Sequence, residues 1–253
     1  MIQIQNLHKS FGNLTVLDGI SMDVLDGQSV VVMGKSGQGK SVLLKLVTRL
    51  LFPDSGKIII DDDDLGSISG KKLDEVRLKF GMLFQSAALF DSLNISDNVG
   101  IGLRAYNRYT EDEIQKTTEE SLARVGLTDV GDKYPAQLSG GMRKRVGLAR
   151  VVAMRPKYIL YDEPTTGLDP VTSSQIAMLI KDMQEELKTT SIIVTHDIPT
   201  GFFLADHIVL LEKGNFSFSG SVEEMKKSDV KSVKDFIRGY HEEADLKNRA
   251  YDS

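Results

Sequence analysis

The chain has no cysteine among its 253 residues. That absence excludes disulfides and thiolate metal sites, although it does not by itself assign a reducing compartment. No apolar run approaches the roughly 18 residues that a membrane-crossing helix needs. The opening Met1-Ile2-Gln3-Ile4-Gln5 lacks the basic and apolar regions of a signal peptide, so the expected location is the cytoplasm. Neither sign of charge dominates: 31 Lys plus Arg face 36 Asp plus Glu, a net charge of -5, which gives no overall electrostatic reason to expect nucleic acid as a ligand. Internal repeats and low-complexity linkers are also missing, so nothing marks an independent second domain. The length suits one elaborated α/β domain with a sizeable core.

What is present is concentrated first at Gly34-Lys35-Ser36-Gly37-Gln38-Gly39-Lys40-Ser41, between the apolar run Val30 to Met33 and Val42-Leu43-Leu44. Strand, glycine loop and helix in that order form a triphosphate-binding element. The glycines let successive N–H groups point into one concavity, and the helix adds the positive end of its dipole. Lys40 is expected to reach the outer phosphates and Ser41 a magnesium ion, making ATP or GTP the expected ligand.

Around this loop the first sixty residues read as strands, Ile2 to Leu7, Thr15 to Val24 broken at Gly19, Ser29 to Met33 and Lys57 to Ile60. Apolar spacing predicts a helix from Lys40 to Leu51, stopped by Pro53. From Asn94 to Arg155 the pattern is mainly helical, with a capping-box signature at Thr110 to Glu113. Strands resume at Tyr158 to Tyr161, Ser191 to Thr195 and His207 to Leu211. The run Asp61 to Asp64 lacks the interrupted spacing of a calcium loop and reads as a solvated turn.

Ile159-Leu160-Tyr161-Asp162-Glu163 is a buried strand ending in two carboxylates. Asp162 is expected to hold magnesium, and Glu163 to turn towards the terminal phosphate, where a carboxylate can orient and deprotonate water.

Leu138-Ser139-Gly140-Gly141-Met142 adds a second glycine nest at a helix start. With Gln85, Gly167-Leu168-Asp169-Pro170 and Val194-Thr195-His196-Asp197, these motifs occur from about Ile2 to Gly220 in the order found in ABC transporter ATP-binding subunits, which the chain resembles. The resemblance implies an α/β P-loop NTPase with an antiparallel β portion and an inserted helical subdomain near 86–155, the ATPase domain covering 1–220 and an extension covering 221–253. It implies that Phe11 stacks on adenine, that Gln85 contacts magnesium and water, and that His196 contacts the γ-phosphate. Ser139, Gly140 and Gly141 would grip the γ-phosphate of ATP held by a second copy, and Asp169 would lie at that interface, so the unit of function is a homodimer with ATP and Mg2+. Met142 departs from the glutamine common there, which loses a side-chain hydrogen bond and leaves the backbone cradle. Asp62 replaces a common turn glycine.

The segment Phe84 to Val99, with the motifs above, is similar to the ATPase subunits of Mla-type phospholipid transport systems. That similarity implies attachment to the cytoplasmic face of the inner membrane, an integral permease, an MCE-type lipid-binding protein and, in some systems, a STAS-domain regulator. Leu89, Phe90 and Leu93 would then either receive a permease helix or belong to the core of the helical insertion. Other readings are an ABC ATPase serving an amino acid, ion or peptide, and a soluble one acting in cluster assembly or repair. Val230, Val233, Phe236, Ile237 and Tyr240 share one helical face in the extension, and Glu242 to Ser253 is expected to be charged and frayed.

Overall fold

The computed structural model describes residues 1–106 and 109–251, and the side chains among them except at 241 and 243–251. Two compact units emerge, one made of 1–76 with 192–253 and one of 77–191.

The first unit opens with strands β1 (Ile2–Phe11) and β2 (Leu14–Val24) as an antiparallel pair, then β3 (Ser29–Met33), α1 (Lys40–Val47), β4 (Ser55–Ile60), the two-residue β5 (Asp63–Asp64) and α2 (Gly70–Arg77). β1 exceeds the expected Ile2 to Leu7 because His8 to Phe11 stay paired to β2, with Phe11 opposite Leu14. His8 to Ser10 are polar and half-exposed and Phe11 is exposed, so the hydrophobic pattern hides this end of the strand. β2 runs through Gly19 rather than breaking there, with that glycine at φ 74°.

Helix α1 ends a turn earlier than the periodicity predicts. Arg49 turns left-handed at φ 53°, and the amides of Leu50 and Leu51 both return to the Lys45 carbonyl at 2.8 and 3.0 Å. The Arg49 guanidinium donates to the carbonyls of Leu65 and Ile68, which fixes this exit. Leu50 is consequently exposed. At the acidic run, β4 pairs Ile60 with Asp63 across a tight turn, Lys72 pairs with Asp63, and the Gly66 amide donates to Asp64.

The second unit holds β6 (Phe80–Leu83), α3 (Ile95–Ala105), α4 (Glu111–Arg124), α5 (Gly140–Ala153), β7 (Tyr158–Asp162) and α6 (Pro170–Leu187). Asn94 caps α3, and Thr110 with Glu113 forms the expected capping box of α4. β6 and β7 run parallel, Leu83 opposite Tyr161. All of β7 is buried, as a parallel strand covered on both faces requires.

The chain returns to the first unit within β8 (Thr190–Thr195) and continues as α7 (Ile198–Leu204), β9 (His207–Glu212), β10 (Asn215–Gly220), α8 (Val222–Lys226) and α9 (Lys231–Tyr251). There the order is β10-β9-β3-β8, with β3 and β9 parallel and β9 and β10 a hairpin. β10 was not read from the sequence, since Asn215-Phe216-Ser217-Phe218-Ser219 is a half-exposed edge strand. In α9, Val233 and Phe236 are buried. Of Glu242 to Ser253, expected to be frayed, the backbone is helical through Tyr251, and the side chains of 243–253 lie outside those described.

Candidate functional site

In the first unit, the glycine loop leaves buried β3 and enters α1. Gly39 precedes the helix at φ 98°, and a Cβ there would come within 2.5 Å of Val16 Cγ1 on β2. A Cβ on Gly34 would lie 2.5 Å from the Leu211 carbonyl oxygen on β9. A side chain at Gly34 would have to displace the β9 backbone, and one at Gly39 would have to push the Val16 side chain aside in a strained backbone conformation. The Lys40 ammonium is buried under the loop and donates to the carbonyls of Gly34 and Lys35 at 2.7 and 3.1 Å. Lys35, Ser36 and Gly37 are exposed, whereas Gln38 accepts from the Lys213 amide at 2.7 Å. Ser41 stands in the first turn of α1. The same contact at Val16 brings the β1–β2 hairpin to the loop, and Phe11 stands at its tip, 47% exposed, beneath the Lys9 ammonium. His196 follows β8, the neighbour of β3, and is partly exposed.

In the second unit, Gln85 and Glu163 each stand two residues beyond the paired Leu83 and Tyr161, at the carboxyl ends of adjacent parallel strands. Asp162 and Glu163 are 8% and 7% exposed, which is unusual for carboxylates unless they are engaged. Glu163 is left-handed at φ 48°. Three bonds hold it there: Lys144 Nζ and the Thr166 amide donate to its carbonyl at 3.2 and 3.3 Å, and the Thr166 hydroxyl donates to its carboxylate at 3.0 Å. Burial lowers Lys144 to about 8, while the Asp162 and Glu163 carboxylates pull the other way.

Ser139 caps α5, accepting from the Met142 amide at 3.2 Å. Its glycines face the turn after β7: a Cβ on Gly141 would approach Thr172 Cγ2 to 2.6 Å, and one on Gly140 would touch Leu168 at 3.4 Å. Asp169, in that turn, caps α6 and accepts from the Thr172 amide and hydroxyl, bonds that hold its carboxyl below the usual range. The structure thus brings Ser139 to Gly141 beside the Asp169 turn. Met142 is half-buried in the first turn of α5.

Sequence reasoning missed Lys144 and Thr166. Lys144 sits in Arg143-Lys144-Arg145, which reads as a solvated basic run, and only its spacing of four from Leu148 marks the inner face of α5. It also missed Arg150. The Arg150 guanidinium donates to the carbonyls of Ala87 and Ala88 at 2.6 and 2.7 Å, both alanines being left-handed at φ 61° and 46°. Fully buried Asn98 accepts from the Phe90 amide and donates to the carbonyls of Phe90, Leu93 and Asn94. The segment after Gln85 is therefore clamped at both ends, while Phe90 stays 51% exposed.

A glycine cradle between a buried strand and a helix, with paired carboxylates ending another buried strand, defines a P-loop nucleotide hydrolase of the α/β class. Residues 17–166 match the ABC transporter family. The chain is 40% identical over 238 residues to the probable ribonucleotide transport ATP-binding protein mkl of Mycobacterium leprae, covering 94% of this chain and 69% of that protein. It is 36% identical over 239 residues to the intermembrane phospholipid transport system ATP-binding protein MlaF of Haemophilus influenzae, covering 94% of this chain and 90% of the relative. Among solved structures, the dimeric ATP-binding cassette MJ0796 in a post-hydrolysis state with ADP and Pi superposes with a TM-score of 0.80 at 31% identity, over 88% of this chain and 99% of that one. The chain belongs to the ABC transporter family, as an ATP-hydrolysing subunit coupled to transport.

Proposed function

We propose that two copies of this chain close around two ATP molecules and drive an integral membrane permease that moves phospholipid between the inner and outer membranes. The observation that carries the cargo is the likeness to the Haemophilus phospholipid transport subunit, which extends over 90% of that protein. Residues 1–220 act as the ATPase domain, with the helical insertion near 86–155, and 221–253 as an extension. The chain works from the cytoplasmic face of the inner membrane, with an MCE-type lipid carrier beyond the permease and a STAS-domain regulator as a further partner. Phe90, with Leu89 and Leu93 beside it, is the contact for the permease helix.

In this reading the amides of Gly34 to Ser41 bind the β- and γ-phosphates and Lys40 shifts from loop carbonyls to phosphate oxygens. Phe11 stacks on the adenine. Ser41, Asp162 and Gln85 would hold Mg2+ through hydroxyl, carboxylate and amide oxygens, a hard donor set that suits it. Mg2+, when bound, neutralises charge on the phosphate oxygens. Glu163 accepts a proton from the attacking water, and His196 hydrogen-bonds the γ-phosphate. Ser139 of the partner subunit, with its two glycines, completes the γ-phosphate cradle, and Asp169 lies at that shared edge. ATP holds the pair shut, and loss of the γ-phosphate opens it.

Glu163→Gln tests the chemistry: ATP binding and the closed dimer persist while turnover falls by about two orders of magnitude or more. Near-normal turnover would remove Glu163 as the base. The cargo is tested by gentle detergent extraction of the tagged chain. A polytopic protein carrying phospholipid supports the reading, and one carrying ribonucleotide, the cargo in the name of the mycobacterial relative, replaces it.

A further inference from the structure

Helix α9 carries none of the nucleotide motifs, yet it reaches two of them within its own unit. The Tyr240 hydroxyl donates to Asp197 Oδ1 at 2.9 Å. Asp197 is already tied at two other atoms: its amide donates to Thr195 Oγ1 at 3.0 Å, and its Oδ2 accepts from the Thr200 amide at 2.9 Å, capping α7. His196 lies between Thr195, which ends the fully buried β8, and this triply bonded aspartate. One to two turns back along α9, Ser232, Asp235 and Phe236 share the walls of a cavity of about 180 Å³ with Lys35, Gln38 and Lys213. Buried Val233 and Phe236 anchor the helix in that place.

We propose that Tyr240 is a positioning residue for His196, setting the switch loop from outside the nucleotide motifs. The inference rests on the reading of His196 as the γ-phosphate contact and adds what orients it. The chain has no freedom on the Thr195 side, because that residue is locked in the sheet. On the other side the Asp197 carboxylate is shared between the α7 cap and the Tyr240 hydroxyl. Hydrogen bonds to an ionised group are the stronger kind, so losing one releases the carboxylate to rotate and the His196 backbone to follow. Displacement of a reacting group by even about 1 Å is costly in rate. Ground-state ATP binding depends instead on the glycine loop, whereas the hydroxyl bonds the residue that follows His196. A loss confined to turnover therefore separates positioning from mere packing.

Tyr240→Phe removes one oxygen and keeps the ring. In the purified full chain, with Mg-ATP, kcat should fall about three- to tenfold with KM for ATP and the melting temperature unchanged. Asp197→Ser retains a helix cap but cannot reach the tyrosine, and in that background Tyr240→Phe should cost nothing more. Lys231→Ala, exposed on the same helix, should behave as wild type. Unchanged kcat in Tyr240→Phe while His196→Ala is impaired overturns this inference and leaves the reading of His196 standing. A fall in melting temperature that accounts for the lost activity, or full additivity with Asp197→Ser, also overturns it. A fully active His196→Ala removes both.

Discussion

At Gly37 and Gly39 the phosphate loop takes φ of 80° and 98° with residues that have no Cβ, whereas the carboxylate turn takes φ of 48° at Glu163 and the segment after Gln85 takes 61° and 46° at two alanines. The first solution is local, because glycine visits the left-handed region without penalty and the chemistry of the loop needs only backbone. The second requires side chains at strained positions, so the conformation must be enforced from elsewhere. In both cases the enforcer is a long cation on α5 that donates to the carbonyls of the strained residues, Lys144 for Glu163 and Arg150 for Ala87 and Ala88. A glycine loop is thus self-sufficient, while the carboxylate turn and the segment after Gln85 depend on the same helix that begins at Ser139.

The sharpest way to break that contrast is to put a methyl group into the loop. Gly39→Ala combines φ 98°, a conformation strained for any residue with a Cβ, with contacts of 2.5 Å to Val16 Cγ1 and 3.2 Å to the Val16 carbonyl oxygen. Affinity for Mg-ATP should fall by about 100-fold or more, corresponding to about 3 kcal/mol, as read by isothermal calorimetry. An affinity within about threefold of wild type would show that the loop does not rely on its glycines.

The complementary test strikes the remote enforcer. Lys144→Met keeps much of the side-chain volume and leaves the Glu163 carbonyl without its ammonium donor. Nucleotide affinity should be nearly unchanged while kcat falls about tenfold or more, because the candidate base is misplaced rather than removed. The buried ammonium also has a signature in stability. Its native value is about 8 against an ordinary 10.5. Between those values the unfolded chain binds the proton that the native chain has lost, so stability rises with pH across that window. Below about pH 8 both states are charged and the burial cost is fully present. Urea melts without nucleotide should therefore show wild type gaining on Lys144→Met by up to about 3 kcal/mol between pH 8 and 10.5. A constant difference over that range would mean that the ammonium is not desolvated.

The same contrast explains what could be read from the amino-acid order. Gly34 to Ser41, Asp162 and Ser139 to Gly141 are legible because local glycine spacing and apolar runs encode them, and β3, β7 and β8 follow from continuous apolar stretches. Lys144 and Arg150 are not legible, since their partners lie 19 and about sixty residues away and a cation on a helix ordinarily faces water. The early end of α1 fails for the same reason: the apolar period continues to Leu50, but Arg49 leaves the helix for carbonyls 16 and 19 residues away. The extra length of β1 and the edge strand β10 are hidden differently, by polar residues whose pairing is through the backbone.

The smallest expected effect sharpens the comparison most, because it converts one solution into the other. Ala88 is exposed and left-handed at φ 46°, so glycine in its place loses little packing and removes the steric cost of that conformation. Ala88→Gly also gives the unfolded chain more freedom, which offsets part of the gain. The balance should be a stabilisation of about 0.5 kcal/mol or less in the otherwise wild-type chain. Arg150→Ala, by contrast, leaves two carbonyls short of their donors and should cost about 2 kcal/mol in chemical denaturation. If Arg150 acts by enforcing the left-handed pair, Ala88→Gly should recover about 1 kcal/mol in the Arg150→Ala background, more than it gives alone. Simple additivity would mean that the guanidinium contributes through burial and charge, and that the backbone after Gln85 holds its shape without it.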